Sequence, residues 1–287
     1  MQSGKEDWLF EIKPKEKLFR LNLKEIWYYR DLLFLFVKRD IVTVYKQTIL
    51  GPLWYFIQPI FTSVVFTLVF NNIANIETGN VPPFLFNLAG ITAWNYFKEC
   101  LTQTSGTFVK NQSIFGKVYF PRAIMPMSTT ISNLFKFGIQ LLIFICFYVY
   151  FAAFAGATVR PSLWLFLVPL LVLCMALMGL GLGMLFSSLT SKYRDISVLI
   201  TFGVQLLMYA SAVMYPVSIV REKQPGISWL VEWNPITQII EGFRYATLSE
   251  GSASLSMLAY TCTVSIVLFL LGLVVFNKTE RSFIDTV

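Results

Sequence analysis

Residues 49–70 read ILGPLWYFIQPIFTSVVFTLVF, and residues 255–276 read LSMLAYTCTVSIVLFLLGLVVF. Each run is 22 residues long and carries no charged side chain. A helix rises about 1.5 Å per residue, so roughly 20 apolar residues cross the hydrocarbon core of a bilayer. Both runs span on length alone, and they fix the solvent in which the rest of the chain must be read. The first run opens on Gly51-Pro52 and carries Pro59, where a kink is expected.

Working outward, four more apolar segments are punctuated by charge. They cover about 84–108, 123–155, 163–189 and 196–213. With 49–70 and 255–276 they make six spans. The composition agrees: 56% of the 287 residues are hydrophobic and 14% are charged, against about 25% charged in soluble domains. Residues 1–21 read as a polar cytoplasmic tail. Asn22-Leu23-Lys24-Glu25 is a helix-start pattern. From there to 47, apolar and charged residues alternate too closely for a span, which predicts an amphipathic helix at the membrane surface. Residues 48–287 form a single transmembrane domain. Between spans 5 and 6, residues 215–250 are too broken by Pro216, Pro225 and Pro235 to cross, yet too aromatic for a free loop. Two short re-entrant helices fit that pattern, with protein or a water-filled cavity around them. The expected fold is therefore an all-α polytopic membrane protein.

Orientation follows from Lys and Arg. With the N-terminus in the cytoplasm, inner segments hold seventeen and outer segments four, the latter being Arg160, Arg221, Lys223 and Arg244; Lys98 and Lys136 lie within spans. This asymmetry places both termini inside. The first 48 residues contain ten Lys/Arg, seven Asp/Glu and no apolar leader region, so the first span is expected to act as its own insertion signal. The basic balance of +7 is then a membrane feature and implies no nucleic acid. Cys100, Cys146, Cys174 and Cys262 fall in separate apolar segments without metal-ligand spacing, and the chain has no histidine. A disulfide framework, a metal site and a histidine-based catalytic set are all excluded as readings. The sequence also lacks GxxxxGK[ST], so no nucleotide is cradled by that route.

Several polar patterns interrupt the apolar helices. Ser197, Thr201, Gln205 and Tyr209 recur at i+4 along span 5, serving either interhelical hydrogen bonds or a polar path. Thr129, Asn133, Lys136 and Gln140 make a similar stripe in span 3. A charge as deep as Lys136 should face the bundle interior. Lys98 and Glu99 in span 2 invite the same expectation, although sequence neighbours on a helix diverge by about 100° and need not pair. Ala176, Gly179, Gly183 and Ser187 form a small-residue ladder that predicts close packing of span 4. The aromatic groups Trp54-Tyr55-Phe56 and Trp94, Tyr96, Phe97 suit an interfacial belt or rings stacked on sugars.

The order of parts resembles the permease subunits of ATP-binding-cassette exporters of O-antigen, capsule or teichoic acid. It rests on Leu32 to Lys46 (LLFLFVKRDIVTVYK) running into Gly51-Pro52-Leu53-Trp54, on Lys117-Val118-Tyr119-Phe120-Pro121-Arg122, on Ser191-Lys192-Tyr193-Arg194-Asp195 and on Trp233-Asn234-Pro235. The resemblance covers about Leu23 to Phe276. It implies a homodimer with two separate nucleotide-binding ATPase subunits, which carry the ATP and Mg, so this chain is no enzyme and holds no cofactor. It implies an undecaprenyl-diphosphate-linked polysaccharide as substrate and the inner membrane as location. Tyr55, Gln58 and Thr62 would line a channel with Ser197, Thr201, Gln205 and Tyr209. Arg39, Lys46, Lys117 and Arg122 would meet the lipid diphosphate or simply anchor the inner face. Trp27, Arg30, Asn111, Ser113, Phe115 and Gly116 would couple to the ATPase, and Tyr215, Pro216, Trp233, Asn234 and Pro235 would form an outer gate. Lys98-Glu99 is more polar than that pattern. Two rivals are a cassette permease for a drug or lipid, and a polyprenyl-glycan membrane enzyme, which should show clustered acidic residues in its loops.

Overall fold

The computed structural model describes residues 23–46, 51, 53–115, 117–118, 120–154, 160–193 and 195–284, with the side chains of 23–24, 44–46 and 281–284 left out. The expected tail at 1–21, Pro52, Gly116, Tyr119 and Arg194 lie outside the described residues, as does the Lys46 side chain. Among the described residues the chain is helical and contains no strand. The helices are α1 (Leu23–Tyr28), α2 (Arg30–Lys46), α3 (Leu53–Phe66), α4 (Pro83–Thr104), α5 (Thr107–Lys110), α6 (Gln112–Phe115), α7 (Ile124–Ala153), α8 (Val168–Thr190), α9 (Ile196–Ala210), α10 (Val217–Lys223), α11 (Ser228–Glu232), α12 (Pro235–Leu248) and α13 (Leu255–Ile284).

Among the described residues, four helical stretches are long and apolar enough to cross a membrane: Leu53–Ile73, Ile124–Ala153, Leu163–Thr190 and Leu255–Glu280. The other two expected spans also fold as helices but fail one criterion each. The helix α4 has 22 residues, about 33 Å at the usual rise, but its polar groups (Asn87, Asn95, Lys98, Glu99, Gln103) dilute its apolarity. The helix α9 is apolar but only 15 residues long. The chain breaks it at Ser211 and Ala212, the latter in left-handed backbone with φ of 50°.

Other boundaries also move. The expected interface helix is divided at Tyr29 into α1 and α2. Past Pro59, α3 continues as a π-helix over Thr67–Ile73, beyond the expected end at 70. Span 2 stops at Thr104 rather than 108, because the chain turns into the short α5 and α6. A 3-10 turn, Leu163–Leu167, precedes α8, with the Ser162 hydroxyl accepting from the Trp164 backbone N–H. The last helix runs past 276 to Ile284. Residues 215–250 form three helices rather than two. Asn234-Pro235 explains the third: the Asn234 side chain accepts from the Ile236 N–H at 3.0 Å, and proline suits the first helical position.

The helix α4 is the axis of the molecule. It packs on α3, α7, α8, α9 and α12, and fifteen of its residues are buried. Trp94, Tyr96 and Phe97 are among them, at 2%, 4% and 0% exposure. These rings are core, neither an interfacial belt nor sugar-stacking platforms. The small ladder of α8 makes the close approach it predicts. A Cβ on Gly179 would stand 2.7 Å from the Cys100 Cβ, and one on Gly183 would stand 2.5 Å from the Thr104 Cβ. Ser187 continues the seam by accepting from the Phe108 N–H at 3.3 Å. On another face of α8, Gly181 meets Gly272 of α13 backbone to backbone. Such glycine seams let dispersion act where lipid removes the hydrophobic drive between helices.

A second apolar cluster closes one end. Leu33 and Phe36 of α2 join Phe108, Phe115, Phe120, Ile124, Met184 and Phe276. Phe108 and Phe276 stack with centroids 4.6 Å apart. This cluster binds α2 and the loop after α4 to α7, α8 and α13.

Candidate functional site: a charged cavity between membrane helices

The polar residues of α3, α4 and α7 converge on one cavity in two chambers. The upper chamber has a volume of about 190 Å³ and is lined by Tyr55, Gln58, Asn95, Lys98, Glu99, Asn133, Lys136 and Gln140, with Tyr96 and Phe137. The lower chamber, about 310 Å³, adds Arg39, Asp40 and Thr43 of α2, together with Gln103 and Ser132. Tyr55 and Lys136 belong to both walls. The arrangement follows from helix periodicity. On α7, Asn133, Lys136 and Gln140 lie three and four residues apart, and on α4 Asn95, Lys98, Glu99 and Gln103 share adjoining rows. Packing α4 against α7 joins the two faces.

At the centre Glu99 is shared by two lysines. Its carboxylate lies 3.7 Å from Lys98 Nζ and 3.8 Å from Lys136 Nζ. The Gln103 amide donates to it at 2.6 Å. Lys136 also stands 5.5 Å from the centre of the Tyr55 ring. Above the ions, Asn95 donates to Gln140 at 3.4 Å. The Asn133 side chain, 1% exposed, leaves both amide atoms without a hydrogen bond among the described residues. Lys136 thus faces the bundle interior as its depth required, about 18 Å along α7 from Ile124. Lys98 and Glu99 do pair, because their long side chains bridge the angle between adjacent positions.

The expected channel residues divide into two groups. Tyr55 and Gln58 face this cavity, and Thr62 donates its hydroxyl to the Gln58 carbonyl at 2.8 Å. The α9 residues Ser197, Thr201, Gln205 and Tyr209 are all exposed, and only Ile200 and Val204 of α9 are buried. In this chain α3 packs on α4 and α7 while α9 packs on α8 and α4, so the two stripes lie on separate helix pairings.

The expected diphosphate residues are also separated. Arg39 pairs with Asp40 at 2.8 Å and stacks 4.8 Å from the Phe36 ring. Arg122 is mostly buried, lies 5.0 Å from the Phe115 ring and faces Glu280 at 3.9 Å. Burial lowers the affinity of the Arg122 guanidinium for its proton, and Glu280 opposes that. Lys117 is exposed. Among the expected coupling residues, Trp27 and Arg30 are exposed and stack on one another at 5.6 Å. Asn111 donates to the Thr107 carbonyl at 2.9 Å and Ser113 is exposed. Phe115 is buried in the second core and supports that surface from beneath.

At the opposite end the expected gate residues form a hydrogen-bonded unit. Tyr215 donates to the Tyr209 carbonyl. Asn234 donates to the Ala210 carbonyl at 3.1 Å and to Ser211 at 3.0 Å. Tyr260 donates to the Trp233 carbonyl at 2.9 Å, and Pro216 precedes α10. Sequence reading missed the centre of this unit. It counted Arg244 as an outer-segment charge, yet Arg244 is 0% exposed. Its Nη1 donates to the Ala212 carbonyl at 2.8 Å and to Glu241 at 3.2 Å, and its Nη2 donates to the Val213 carbonyl. Its guanidinium also lies 3.7 Å from the centre of the Phe86 ring. Arg244 therefore caps the last carbonyls beyond α9 and fastens them to α4 and α12. The i,i+3 spacing of Glu241 and Arg244 within an apolar helix was the available signal.

Residues 31–248 match the ABC-2 type transporter family model. The chain belongs to the ABC-2 type transporter family. Its relatives include the O-antigen export system permease protein RfbA of Klebsiella pneumoniae, 27% identical over 90% of this chain and 95% of that protein. The protein of the same name from Myxococcus xanthus is 22% identical over 92% and 98%. The Inner membrane transport permease YadH of Escherichia coli strain K12 is 24% identical over 75% and 84%. As an ABC-2 permease the chain is a multi-pass membrane protein. The charged cavity, the exposed stripe of α9 and Arg244 with its direct partners all fall within the matched residues.

Proposed function

We propose that this ABC-2 permease is the transmembrane subunit of an ATP-driven exporter that carries a polysaccharide on an undecaprenyl diphosphate out of the cytoplasm. Two copies form the path, two ATPase subunits supply the energy, and six spans of the inner membrane leave both termini in the cytoplasm. The observation that carries this reading is the outward polar stripe of α9. Ser197, Thr201, Gln205 and Tyr209 are all exposed on the surface of the chain, with Thr201 donating its hydroxyl back to the Ser197 carbonyl at 3.0 Å. Polar groups facing hydrocarbon are costly, so that face needs water, a substrate rich in hydroxyls, or a second copy. A glycan path between two copies provides all three, and permeases similar over nearly their whole length are named for O-antigen export. The exposed Trp27 and Arg30, braced by the second core, suit the ATPase contact.

The test is ATP hydrolysis by this chain co-purified in lipid with the ATPase expected to partner it, with and without lipid-linked glycan. A stable complex whose hydrolysis responds to the glycan supports the reading. A chain that recruits no ATPase, or a complex that responds to drugs or phospholipids and ignores glycan, overturns it.

A further inference from the structure

We propose that Lys98 and Lys136 form a binding site for a phosphate or diphosphate group, set between α4 and α7 within the membrane domain. It deepens the export reading above, and rests on it only for what the phosphate is attached to. Charge balance carries the proposal. Two ammonium groups share one carboxylate at 3.7 and 3.8 Å, which leaves one positive charge in a partly buried site. Such an excess is costly away from water unless an anion completes it. The other charged groups facing the cavity are Arg39 and Asp40, which neutralise each other at 2.8 Å. The excess therefore stays at the lysines.

Space and donors are also present. The upper chamber holds about 190 Å³, room for a phosphate and its waters. Lysine offers compact, rotatable charge to phosphate oxygens. Asn95, Gln103 and Gln140 supply neutral amides around the ions. The buried Asn133 amide adds a further polar group to the same wall. The lower chamber, bordered by Arg39 and Thr43 of α2, gives a way in. Glu99 is then the competitor: it holds the lysines in place while the site is empty and limits affinity when it fills.

The experiment uses the full-length chain in phosphatidylcholine nanodiscs, titrated with inorganic diphosphate in one arm and loaded with undecaprenyl diphosphate in the other. Binding is read by calorimetry in the first arm and native mass spectrometry in the second. Lys98→Met and Lys136→Met should each weaken binding by about tenfold, while Lys136→Arg retains it. Glu99→Gln should tighten binding. Binding of the lipid alone assigns an opening to the bilayer, and binding of inorganic diphosphate alone an opening to cytoplasmic water; both support the site. Absence of binding in both arms, unchanged binding in both methionine variants, or weakening by Glu99→Gln would overturn it in favour of a structural tether. Glycan export in cells separates the two proposals. Normal export by both methionine variants sinks the phosphate site and leaves the exporter. Lysine-dependent binding in a chain that exports no glycan does the reverse.

Discussion

Arg244 shows how much one side chain can hold in this protein. A guanidinium with no exposed surface is tolerated because three carbonyls, a carboxylate and an aromatic face surround it. Removing one member of such a pair leaves the other charge buried and unmatched, at a cost of about 3–5 kcal/mol. Arg244→Met should therefore lower the melting temperature of the detergent-solubilised protein sharply, as followed by fluorescence-detected size exclusion. Arg244→Met combined with Glu241→Gln should recover part of the loss. Equal melting of the wild type and the single variant would refute this role. Gly90 belongs to the same site, since a Cβ there would run into Arg244 Nη2, and Gly90→Ala should destabilise in the same assay. Little of this was legible in the sequence. Arg244 sits among prolines and charges that resemble an exposed segment, and only the return of α12 against α4 and the end of α9 buries it. The pairing of Glu99 with Lys136 was hidden similarly, because it depends on which faces of α4 and α7 meet.

At the scale of helices, periodic patterns translated well. The ladder on α8 predicts a close seam, and the seam exists against α4. Its glycines can be ranked by what surrounds them. Gly181 and Gly272 touch backbone to backbone, whereas Gly138 of α7 and Gly203 of α9 have nothing within 4 Å of an added Cβ. Gly181→Val or Gly272→Val should separate α8 from α13 and abolish a monodisperse elution peak. Gly138→Ala should be neutral or stabilising by about 1 kcal/mol, since alanine is the better helix former. Gly203→Leu should spare the fold of each copy while reducing copy-to-copy cross-linking through cysteine placed at Phe202. Full cross-linking in that variant would place α9 away from the dimer contact. Element boundaries were less readable. The expected span runs on to Phe108, but the chain turns at Ser105 and Gly106, and Phe108 belongs to a short helix, where it stacks on Phe276 of α13.

For the whole molecule, the membrane setting was legible from two uncharged 22-residue runs, and the asymmetry of Lys and Arg gives an expected orientation that labelling can test. Cysteine introduced at Glu222, in a chain cleared of native cysteines, should react with an impermeant maleimide added outside intact spheroplasts. Cysteine at Lys192 should react only after permeabilisation. The opposite pattern would invert the topology. What composition could not reveal was the number of membrane-length helices, because α4 spends its apolar surface on its neighbours and carries polar groups toward the cavity.

The export path proposed above needs a wall with one place that yields and one that does not. The helix α3 contains both. Pro59 withholds a backbone N–H from the ladder in its lower half. Higher up, Asn87 of α4 reaches across and donates to Thr67 at 3.1 Å and to Asn71 at 2.9 Å, clasping the π-helical turns. Bending at the proline would swing Tyr55 and Gln58 like a door leaf, with the Asn87 clasp as its fixed jamb. Asn87→Leu should loosen the jamb and speed hydrogen exchange over residues 67–73, leaving the exchange of α8 as it was; equal exchange in both proteins would show that the hinge lies elsewhere.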